Sequence, residues 1–290
     1  MSDVRATDAP LASGGTPLAL ITGGSSGLGL EFARQLFTRG YSLILVSNRE
    51  DELASAAAEL SSPHPEPSEP RHEPSNHHPG PVPGSPSVTT LCLDLARTNA
   101  ADELYEWCGA RGVLPDVIVN DAGMFFFKEL TVEDLPRVQA MIDLHVVTVT
   151  RICILFGEAM KKRGSGRILN ISSMCARIPA PGITIYSATK AYLRSFGRSL
   201  SYELKPHGVT VTTVCPAAVA TPLYRLSERQ MRAGLRLGLV RTPRWLVRRS
   251  LRALFRGRRV ISPAFMNLWL PFLIACLPGP LIARLWKKLK

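Results

Sequence analysis

Residues 18–38 read LALITGGSSGLGLEFARQLFT, and this stretch decides the fold of the chain. The apolar run at 18–21 indicates a buried strand, and the apolar periodicity over residues 28–38 indicates a helix. Between them, the pattern G-x-x-x-G-x-G places Gly23, Gly27 and Gly29 in a turn. Glycine lets the backbone turn tightly and approach a ligand, while a helix N-terminus presents free N–H groups and a partial positive charge. The stretch therefore predicts a strand, a turn and a helix that bind the pyrophosphate of a dinucleotide.

Further apolar segments continue this alternation along the chain, at residues 41–46, 88–93, 116–119, 167–171 and 209–215. Segments with helical periodicity separate them. Strands that alternate with helices predict an α/β fold with a Rossmann-like, doubly wound parallel sheet, whose ligands lie at the carboxyl ends of the strands. We expect a single domain at 17–224, a flexible tail before it at 1–16, and a basic and apolar helical extension after it at 225–290.

An insert at residues 61–87 interrupts this pattern, with nine prolines and four of the six histidines. It has too few apolar residues to bury a core, which predicts a disordered surface loop. His77 and His78 are adjacent, but no cysteine or other fixed ligand accompanies them. We therefore expect no metal site.

The charge of the chain is concentrated at one end. The 290 residues carry a net charge of +12, and residues 225–290 hold 16 Lys and Arg against one acid, Glu228, which leaves about −3 on the first 224 residues. The basic character therefore belongs to the C-terminal quarter alone. The remaining composition, 46% hydrophobic and 20% charged, is typical of a globular protein with a substantial core.

The cysteines and the N-terminal residues indicate the cellular compartment of the protein. The six cysteines show no C-x-x-C pair and no metal-type spacing, which indicates free thiols in a reducing compartment. The first 16 residues lack the basic-then-apolar pattern of a signal peptide. A cytoplasmic location is the prediction.

A candidate proton-transfer site lies in the segment Tyr186-Ser187-Ala188-Thr189-Lys190, with Ser173 thirteen residues earlier. In a helix, Tyr186 and Lys190 share one face. A free phenol has a pKa of about 10, and a nearby ammonium lowers it, so that the phenol can exchange protons near neutral pH. A hydroxyl such as Ser173 can hold the oxygen of a carbonyl or alcohol. The three residues predict carbonyl reduction or alcohol oxidation.

The end of the second strand bears on the choice of cofactor. Ser47 stands where an acid would accept a hydrogen bond from the 2′-hydroxyl of NADH and repel the 2′-phosphate of NADPH. Arg49, two residues on, can pair with that phosphate, so the sequence favours NADPH. In the alternative interpretation, Arg49 is a solvated residue at a helix start, partly neutralised by Glu50 and Asp51.

The sequence resembles the short-chain dehydrogenase/reductase family. The resemblance is carried, in this order, by the turn at 22–29, the segment Asn120-Asp121-Ala122-Gly123, and the set of Ser173, Tyr186 and Lys190. The resemblance covers roughly residues 17–224 apart from the insert. It implies a nicotinamide cofactor and hydride transfer to or from a carbonyl carbon. Tyr186 would be the general acid/base, Lys190 would also bind the nicotinamide ribose, and Ser173 would position the substrate oxygen.

The resemblance also implies most of the cofactor contacts. An acid at the end of the third strand meets the adenine, and the segment after the sixth strand holds the nicotinamide amide. With Arg49 and the shared Tyr186 and Lys190, the expected cofactor-binding residues are Thr22, Gly23, Ser25, Ser26, Gly27, Leu28, Gly29, Asp94, Leu95, Asn120, Ala122, Gly123, Pro216, Val219 and Thr221.

Three residues depart from the family pattern. His145 aligns with the family's fourth catalytic residue, an asparagine whose backbone carbonyl holds a water that links the lysine to solvent. His145 could support this relay, act directly in catalysis, or be a helix histidine that hydrogen-bonds to its neighbours. Asp121 replaces a second asparagine and places an acid near the cofactor, and Ala217 replaces a glycine and should stiffen the turn after Pro216.

The C-terminal quarter combines arginines with apolar residues. Residues 225–259 contain twelve arginines, and residues 260–283 contain no charge. Prolines argue against one continuous spanning helix, so we expect a broken pair of apolar helices that rests on a membrane surface. In the alternative interpretation these helices close an apolar substrate pocket as a lid or form a dimer interface. The apolar partner face argues against nucleic acid.

The function predicted from these features is NADPH-dependent reduction of a hydrophobic, lipid-like ketone by a homo-oligomer. The alternatives are a small polar carbonyl substrate, and a sensor or scaffold that binds NADPH without catalysis. An epimerase or dehydratase of the same fold is disfavoured by the glycine spacing and the chain length.

Overall fold

The structure is a computed structural model that describes residues 5–6, 15–62, 85–178, 181–220, 240–263, 276 and 278. Its strands, in chain order, are β1 (Arg5–Ala6), β2 (Leu18–Thr22), β3 (Ser42–Ser47), β4 (Val88–Cys92), β5 (Val117–Asn120), β6 (Gly166–Ile171), β7 (Val209–Val214), β8 (Ala218–Val219), β9 (Val240–Arg241) and β10 (Val260–Ile261). Its α-helices are α1 (Gly27–Phe37), α2 (Glu50–Ser61), α3 (Ala100–Ala110), α4 (Leu135–Ile142), α5 (Val149–Arg163), α6 (Thr184–Leu204) and α7 (Pro243–Phe255).

The main sheet has the order β1-β4-β3-β2-β5-β6-β7-β10. Seven of these strands run parallel, and β1 alone pairs antiparallel, along β4. The prediction of a doubly wound parallel sheet is confirmed. Strand order reverses between β2 and β5, which are direct neighbours, and their carboxyl ends therefore open a crevice where ligands of such sheets bind.

The sheet separates two hydrophobic cores. One contains Phe32 of α1, Leu53 of α2 and Leu251 of α7 against one sheet face. The other contains Leu104 of α3, Phe156 of α5 and Leu193 of α6 against the opposite face. The parallel strands are covered on both sides, which explains why β2 and β3 are buried at every position.

The structure differs from the expected boundary at residue 224. Strand β10 extends the sheet beside β7, and α7 packs against α1, so residues 243–261 belong to the Rossmann-like unit. Leu246, Val247 and Leu251 of α7 are buried, and its arginines face solvent. The apolar face of this segment is therefore used in the core and cannot also be the membrane-facing side of a lid.

At the N-terminus, Arg5–Ala6 pair with β4 inside the segment expected to be a flexible tail. Several sequence predictions lie outside the described residues. They concern most of the proline-rich insert, Thr221, residues 225–239 of the expected lid, and the apolar segment after residue 263 apart from residues 276 and 278.

One helical segment within the described residues, Val132–Arg163, is long and apolar enough to cross a membrane, with a mean hydropathy of 1.6 over its most apolar 18 residues. It comprises a 3₁₀ turn, α4, a π-helical turn at Asp143–Thr148, and α5. Its buried side chains Ile152, Phe156 and Met160 pack in the core against the sheet. In this structure the segment is therefore a core helix.

Candidate active site

A cleft of about 610 Å³ opens at the carboxyl ends of β2, β3, β4 and β5 and is also lined by residues of α6 and of the segment after β7. Most of the residues predicted from sequence lie on its wall. They are Gly23, Ser25, Ser26, Gly27, Leu28, Arg49, Asp94, Leu95, Ala122, Gly123, His145, Tyr186, Lys190, Pro216 and Val219.

The glycine turn lies at one end of this cleft. Gly23 has φ +71°, a conformation that favours glycine, and a Cβ on it would lie 3.0 Å from the backbone of Ala122. A Cβ on Gly29 would overlap the carbonyl oxygen of Gly23, so the helix start and the turn can approach this closely only without a side chain. The sequence pattern thus has a direct steric cause.

Four predicted residues in the described part of the chain are not on the cleft wall. Gly29 is buried in α1. The Thr22 hydroxyl accepts hydrogen bonds from the backbone N–H groups of Asp121 and Ala122, both at 3.1 Å, and so ties the glycine turn to β5. The Asn120 side chain donates to Asn170 at 2.8 Å and connects β5 to β6. The side chains of Thr22 and Asn120 therefore hold in place the strand ends that form the cleft.

Ser173, the fourth, lies in the loop after β6 and is 3% exposed. Its Oγ accepts a hydrogen bond from the backbone N–H of Cys175 at 3.1 Å, which leaves its own proton available for donation. Its neighbour Ser172 lines the cleft and donates to the backbone carbonyl of Lys190 at 2.7 Å. That bond attaches α6 to the end of β6.

Tyr186 and Lys190 lie one helical turn apart on the buried face of α6, as the spacing predicts. The Lys190 Nζ is 5.7 Å from the centroid of the Tyr186 ring and donates to the backbone carbonyl of Ile171 at 3.0 Å. Burial lowers the pKa of Lys190 to about 8, and the Asp121 carboxylate opposes that shift. Lys190 is therefore a fixed cation beside the phenol at neutral pH.

His145 lies in the π-helical turn and is fully buried. Its Nε2 accepts a hydrogen bond from the backbone N–H of Met124 at 3.0 Å. The proton of the neutral ring is thereby assigned to Nδ1, which lies 3.0 Å from the Thr189 hydroxyl; that hydroxyl donates to the carbonyl of Tyr186. Burial lowers the pKa of His145 well below 6.5, and Lys190 acts in the same direction.

Both ring nitrogens of His145 are therefore engaged in holding the loop after β5 to the catalytic helix. This arrangement corresponds to a histidine that hydrogen-bonds to its neighbours, one of the alternatives that the sequence leaves open. Thr189 was missed from sequence, although its place between Tyr186 and Lys190 on the same helix could have drawn attention to it.

Glu52 is a second residue that sequence reasoning missed. It lines the cleft, accepts from the Ser25 hydroxyl at 3.1 Å, and pairs with Arg49 at 2.6 Å. The i, i+3 spacing of Arg49 and Glu52 in one helix start could have indicated this pair. Arg49 is thus partly neutralised by Glu52.

The side of Tyr186 away from the glycine turn is apolar. Tyr186 packs in a cluster with Phe126, Met141 and Ile183. The Phe125 ring meets the Tyr186 ring edge-on, with centroids 5.0 Å apart. Sequence reasoning did not use the consecutive phenylalanines 125–127, which were the available indication of this surface.

The residues present fit a nicotinamide dinucleotide. The turn leaves backbone space where any side chain would intrude, the N-terminus of α1 faces the cleft, and Arg49, Asp94 and Lys190 stand along its length. Such a cleft can hold an anionic dinucleotide next to a buried phenol. Among the residues that the structure describes, no cluster of His, Cys, Asp and Glu could hold a metal ion.

Comparison with known proteins gives the same assignment. Residues 17–67 and 76–232 match the family described as short chain dehydrogenase. The very-long-chain 3-oxoacyl-CoA reductases of Mus musculus and Bos taurus are 29% and 31% identical over 72% of this chain and 62% of their own length, so the chain spans less than two thirds of these relatives. A solved short-chain dehydrogenase from Sphingobium yanoikuyae in complex with NADPH is 26% identical, with a TM-score of 0.68 over 91% of this chain and 97% of that one.

Proposed function

Because the chain belongs to the short chain dehydrogenase family of oxidoreductases, we propose that it reduces a hydrophobic ketone with NADPH. The observation that carries this proposal is the placement of Lys190 beside the Tyr186 phenol on the wall of a cleft that begins at the glycine turn. A protein that binds the dinucleotide only as a sensor or scaffold could use Lys190 to hold the ribose, but it has no need of a buried phenol beside that cation.

The proposed reaction divides between the cofactor and the side chains of this chain. When bound, the nicotinamide supplies the hydride that reaches the carbonyl carbon. Ser173 donates a hydrogen bond to the carbonyl oxygen, and Tyr186 donates the proton that the oxygen gains. Lys190 stabilises the phenolate that is left, because its ammonium is held within the low-dielectric cleft. The backbone of His145 remains a candidate for the proton relay from Lys190 to solvent.

The apolar cluster around Tyr186 supports a hydrophobic substrate. Phe125, Phe126 and Ile183 offer few polar groups to a small, hydrated carbonyl compound, whereas an acyl chain or a fused-ring ketone would bury apolar surface there. The mammalian relatives are named as very-long-chain 3-oxoacyl-CoA reductases, which points to the same class of substrate. A small polar carbonyl is the competing substrate class.

Turnover with Tyr186→Phe tests the catalytic assignment. We expect NADPH oxidation with a long-chain 3-oxoacyl thioester to fall by a factor of about 10² or more, since the proton donor is lost. NADPH binding, measured by fluorescence, should persist. Tyr192→Phe is the matched control, because Tyr192 lies on the same helix but is 37% exposed, and this variant should retain activity.

Three outcomes separate the alternatives. A Tyr186→Phe protein with near-normal turnover would overturn the assignment. Reduction of small polar ketones in preference to long-chain substrates would favour the small carbonyl. NADPH binding without turnover of any substrate in a broad screen would favour the sensor or scaffold.

The preference for NADPH rests on Arg49, whose side chain is 69% exposed at the cleft edge. A 2′-phosphate would compete with Glu52 for this guanidinium, and an exposed ion pair of this kind is worth only about 0–1 kcal/mol. We expect Arg49→Ala to raise the dissociation constant of NADPH about tenfold and to leave that of NADH within about twofold of the parent value. Both constants are measured for parent and variant. Equal weakening for both cofactors would contradict the preference.

We also propose a cytoplasmic protein that contacts anionic membrane through the arginine face of α7, defined by Arg244, Arg248, Arg249, Arg252 and Arg256. All five are exposed, and residues 240–263 contain no acid. Each charge near anionic lipid contributes roughly 1 kcal/mol. Full-length protein should sediment with phosphatidylserine vesicles, and Arg248→Gln/Arg252→Gln should not. Equal behaviour of the two proteins would remove this proposal.

A homo-oligomer is the proposed assembly, with α6 as the expected contact. Light scattering after size exclusion would show it, and a monomer at micromolar concentration would contradict it.

A further inference from the structure

Asp121 is an acid in the cleft that the proposed reaction does not use. It follows β5, where its backbone N–H donates to the Thr22 hydroxyl, and it lines the cleft beside the glycine turn. Its carboxyl is near enough to the backbone N–H of Gly29, in the first turn of α1, for that group to lower its pKa. The carboxyl therefore lies at the same helix terminus that would receive the pyrophosphate.

Two elements contribute groups that act on Asp121, and a further titratable residue lines the same cleft. Lys190 of α6 is the cation that acts on it, and α1 contributes the Gly29 N–H group. His145 of the π-helical turn is held neutral by burial. Burial raises the pKa of Asp121 to about 7, although Lys190 and the N–H of Gly29 both oppose that shift. The carboxyl can thus be charged or neutral near neutral pH, in contrast to an ordinary surface aspartate.

We propose that Asp121 couples cofactor binding to proton uptake, because the anionic dinucleotide binds more tightly when this carboxyl is protonated. A pyrophosphate at the N-terminus of α1 places further negative charge near the carboxylate. The residue also keeps partial exposure to the open cleft, and the entering dinucleotide removes that water. Both effects favour the neutral acid. A fraction of one proton per site then passes from solvent to a carboxyl oxygen of Asp121 as the cofactor binds, because the free carboxyl is already partly protonated near its pKa.

This inference rests on the proposed dinucleotide cleft and is tested by binding rather than by turnover. The dissociation constant of NADPH is measured by fluorescence for the full-length parent and for Asp121→Asn, from pH 5.5 to 8.5. At pH 5.5 the two constants should agree, since the parent carboxyl is already protonated. At pH 8.5 the variant should bind about tenfold tighter, which corresponds to one pKa unit of coupling. Titration of the 2′-phosphate occurs in both proteins and largely cancels in the ratio, whereas loss of the carboxylate lowers the pKa of Lys190 in the variant and acts against the expected tightening.

Glu52→Gln provides a matched control, because it removes another acid from the same cleft. Burial raises the pKa of Glu52, but the hydrogen bonds from Arg49 and Ser25 outweigh it and lower the pKa below its usual value. Glu52 is therefore charged throughout the range. Above about pH 7.5, where the 2′-phosphate is also fully charged, we expect this variant to change NADPH affinity by a factor that does not depend on pH, whereas the factor for Asp121→Asn should grow with pH.

A ratio between parent and Asp121→Asn that stays constant over the pH range would overturn the inference. If Asp121→Asn fails to fold, Asp121→Ser carries the same comparison. Calorimetry of the parent at pH 7.5 in two buffers of different ionisation enthalpy gives a third measurement, in which zero proton uptake would also overturn it. Absence of NADPH binding in every protein at every pH would instead contradict the proposed function.

Discussion

Replacement of His145 by glutamine should change the pH dependence of folding stability. In the folded protein His145 is neutral because its Nε2 accepts from Met124 and its Nδ1 donates toward Thr189. The unfolded chain binds a proton at this histidine below its ordinary pKa of about 6.5. The folded pKa is lowered, so the contribution of His145 to stability is present above pH 6.5 and is lost as the pH falls below it.

The magnitude follows from the proton taken up by the unfolded chain. Between pH 6.5 and 5.5, a histidine that stays neutral when folded costs the folded state about 1 kcal/mol. The glutamine side chain of the variant would not titrate, and its amide oxygen can accept from the backbone of Met124. The variant would be less stable than the parent by about 1–2 kcal/mol at pH 7.5, because the bond to Thr189 and part of the ring packing are lost. The parent's advantage should therefore shrink by about 1 kcal/mol between pH 6.5 and pH 5.5.

Urea unfolding of parent and variant at pH 7.5, 6.5 and 5.5 measures this difference. Because both proteins contain Asp121, its contribution to the free energy of unfolding cancels when they are compared at the same pH. The raised pKa of Asp121 favours the folded state as the pH falls. His207→Gln, which removes an exposed histidine, should stay within about 0.5 kcal/mol of the parent at every pH. A parent–variant difference for His145→Gln that does not change with pH would refute a neutral, buried His145.

Two further predictions concern packing. Leu251→Ala in α7 should lower the free energy of unfolding by about 2–5 kcal/mol, while the neighbouring Arg248→Ala should change it by less than about 0.5 kcal/mol; equal effects in urea unfolding would show that α7 lies outside the cooperative fold. Gly197→Ala in α6 should lower the thermal midpoint, because a Cβ there would overlap the Thr213 hydroxyl, whereas Gly109→Ala in α3 has open space and should raise it slightly. A rise for both glycine variants would contradict the close approach of α6 to β7.

The catalytic and cofactor motifs were accessible from sequence because each depends on local geometry. The turn at Gly23–Gly29 needs backbone space that glycine alone provides, and the spacing of Tyr186 and Lys190 is one helical turn. The alternation of apolar strands with helices predicted the doubly wound sheet, since parallel strands must be connected by crossovers. These features are periodic or adjacent in the chain, so they can be recognised without tertiary contacts.

Other features depend on residues that are distant in sequence and meet only in the fold. The sequence segment around Trp245 and Leu251 combines arginines with apolar residues, a pattern that fits either a membrane-facing lid or a helix on the sheet. The tertiary structure decided for the helix, because α1, β6 and β7 provide the surface that its apolar side covers. The same is true of Asn120, whose side chain bonds to Asn170 on the adjacent strand, while its expected contact with the cofactor stays a prediction.

By itself, the sequence determined the α/β architecture and the order of the glycine turn, the serine and the tyrosine–lysine pair, because these depend on short-range backbone geometry. Tertiary structure alone decided the protonation environment. Lys190, Asp121 and His145 come from three separate parts of the chain. Burial in the same cleft shifts the pKa of each, and their spacing in the sequence does not indicate this burial. The turn at Gly23–Gly29 could be identified from residues 18–38, but the carboxyl of Asp121 beside it appears only when β5 is placed against β2.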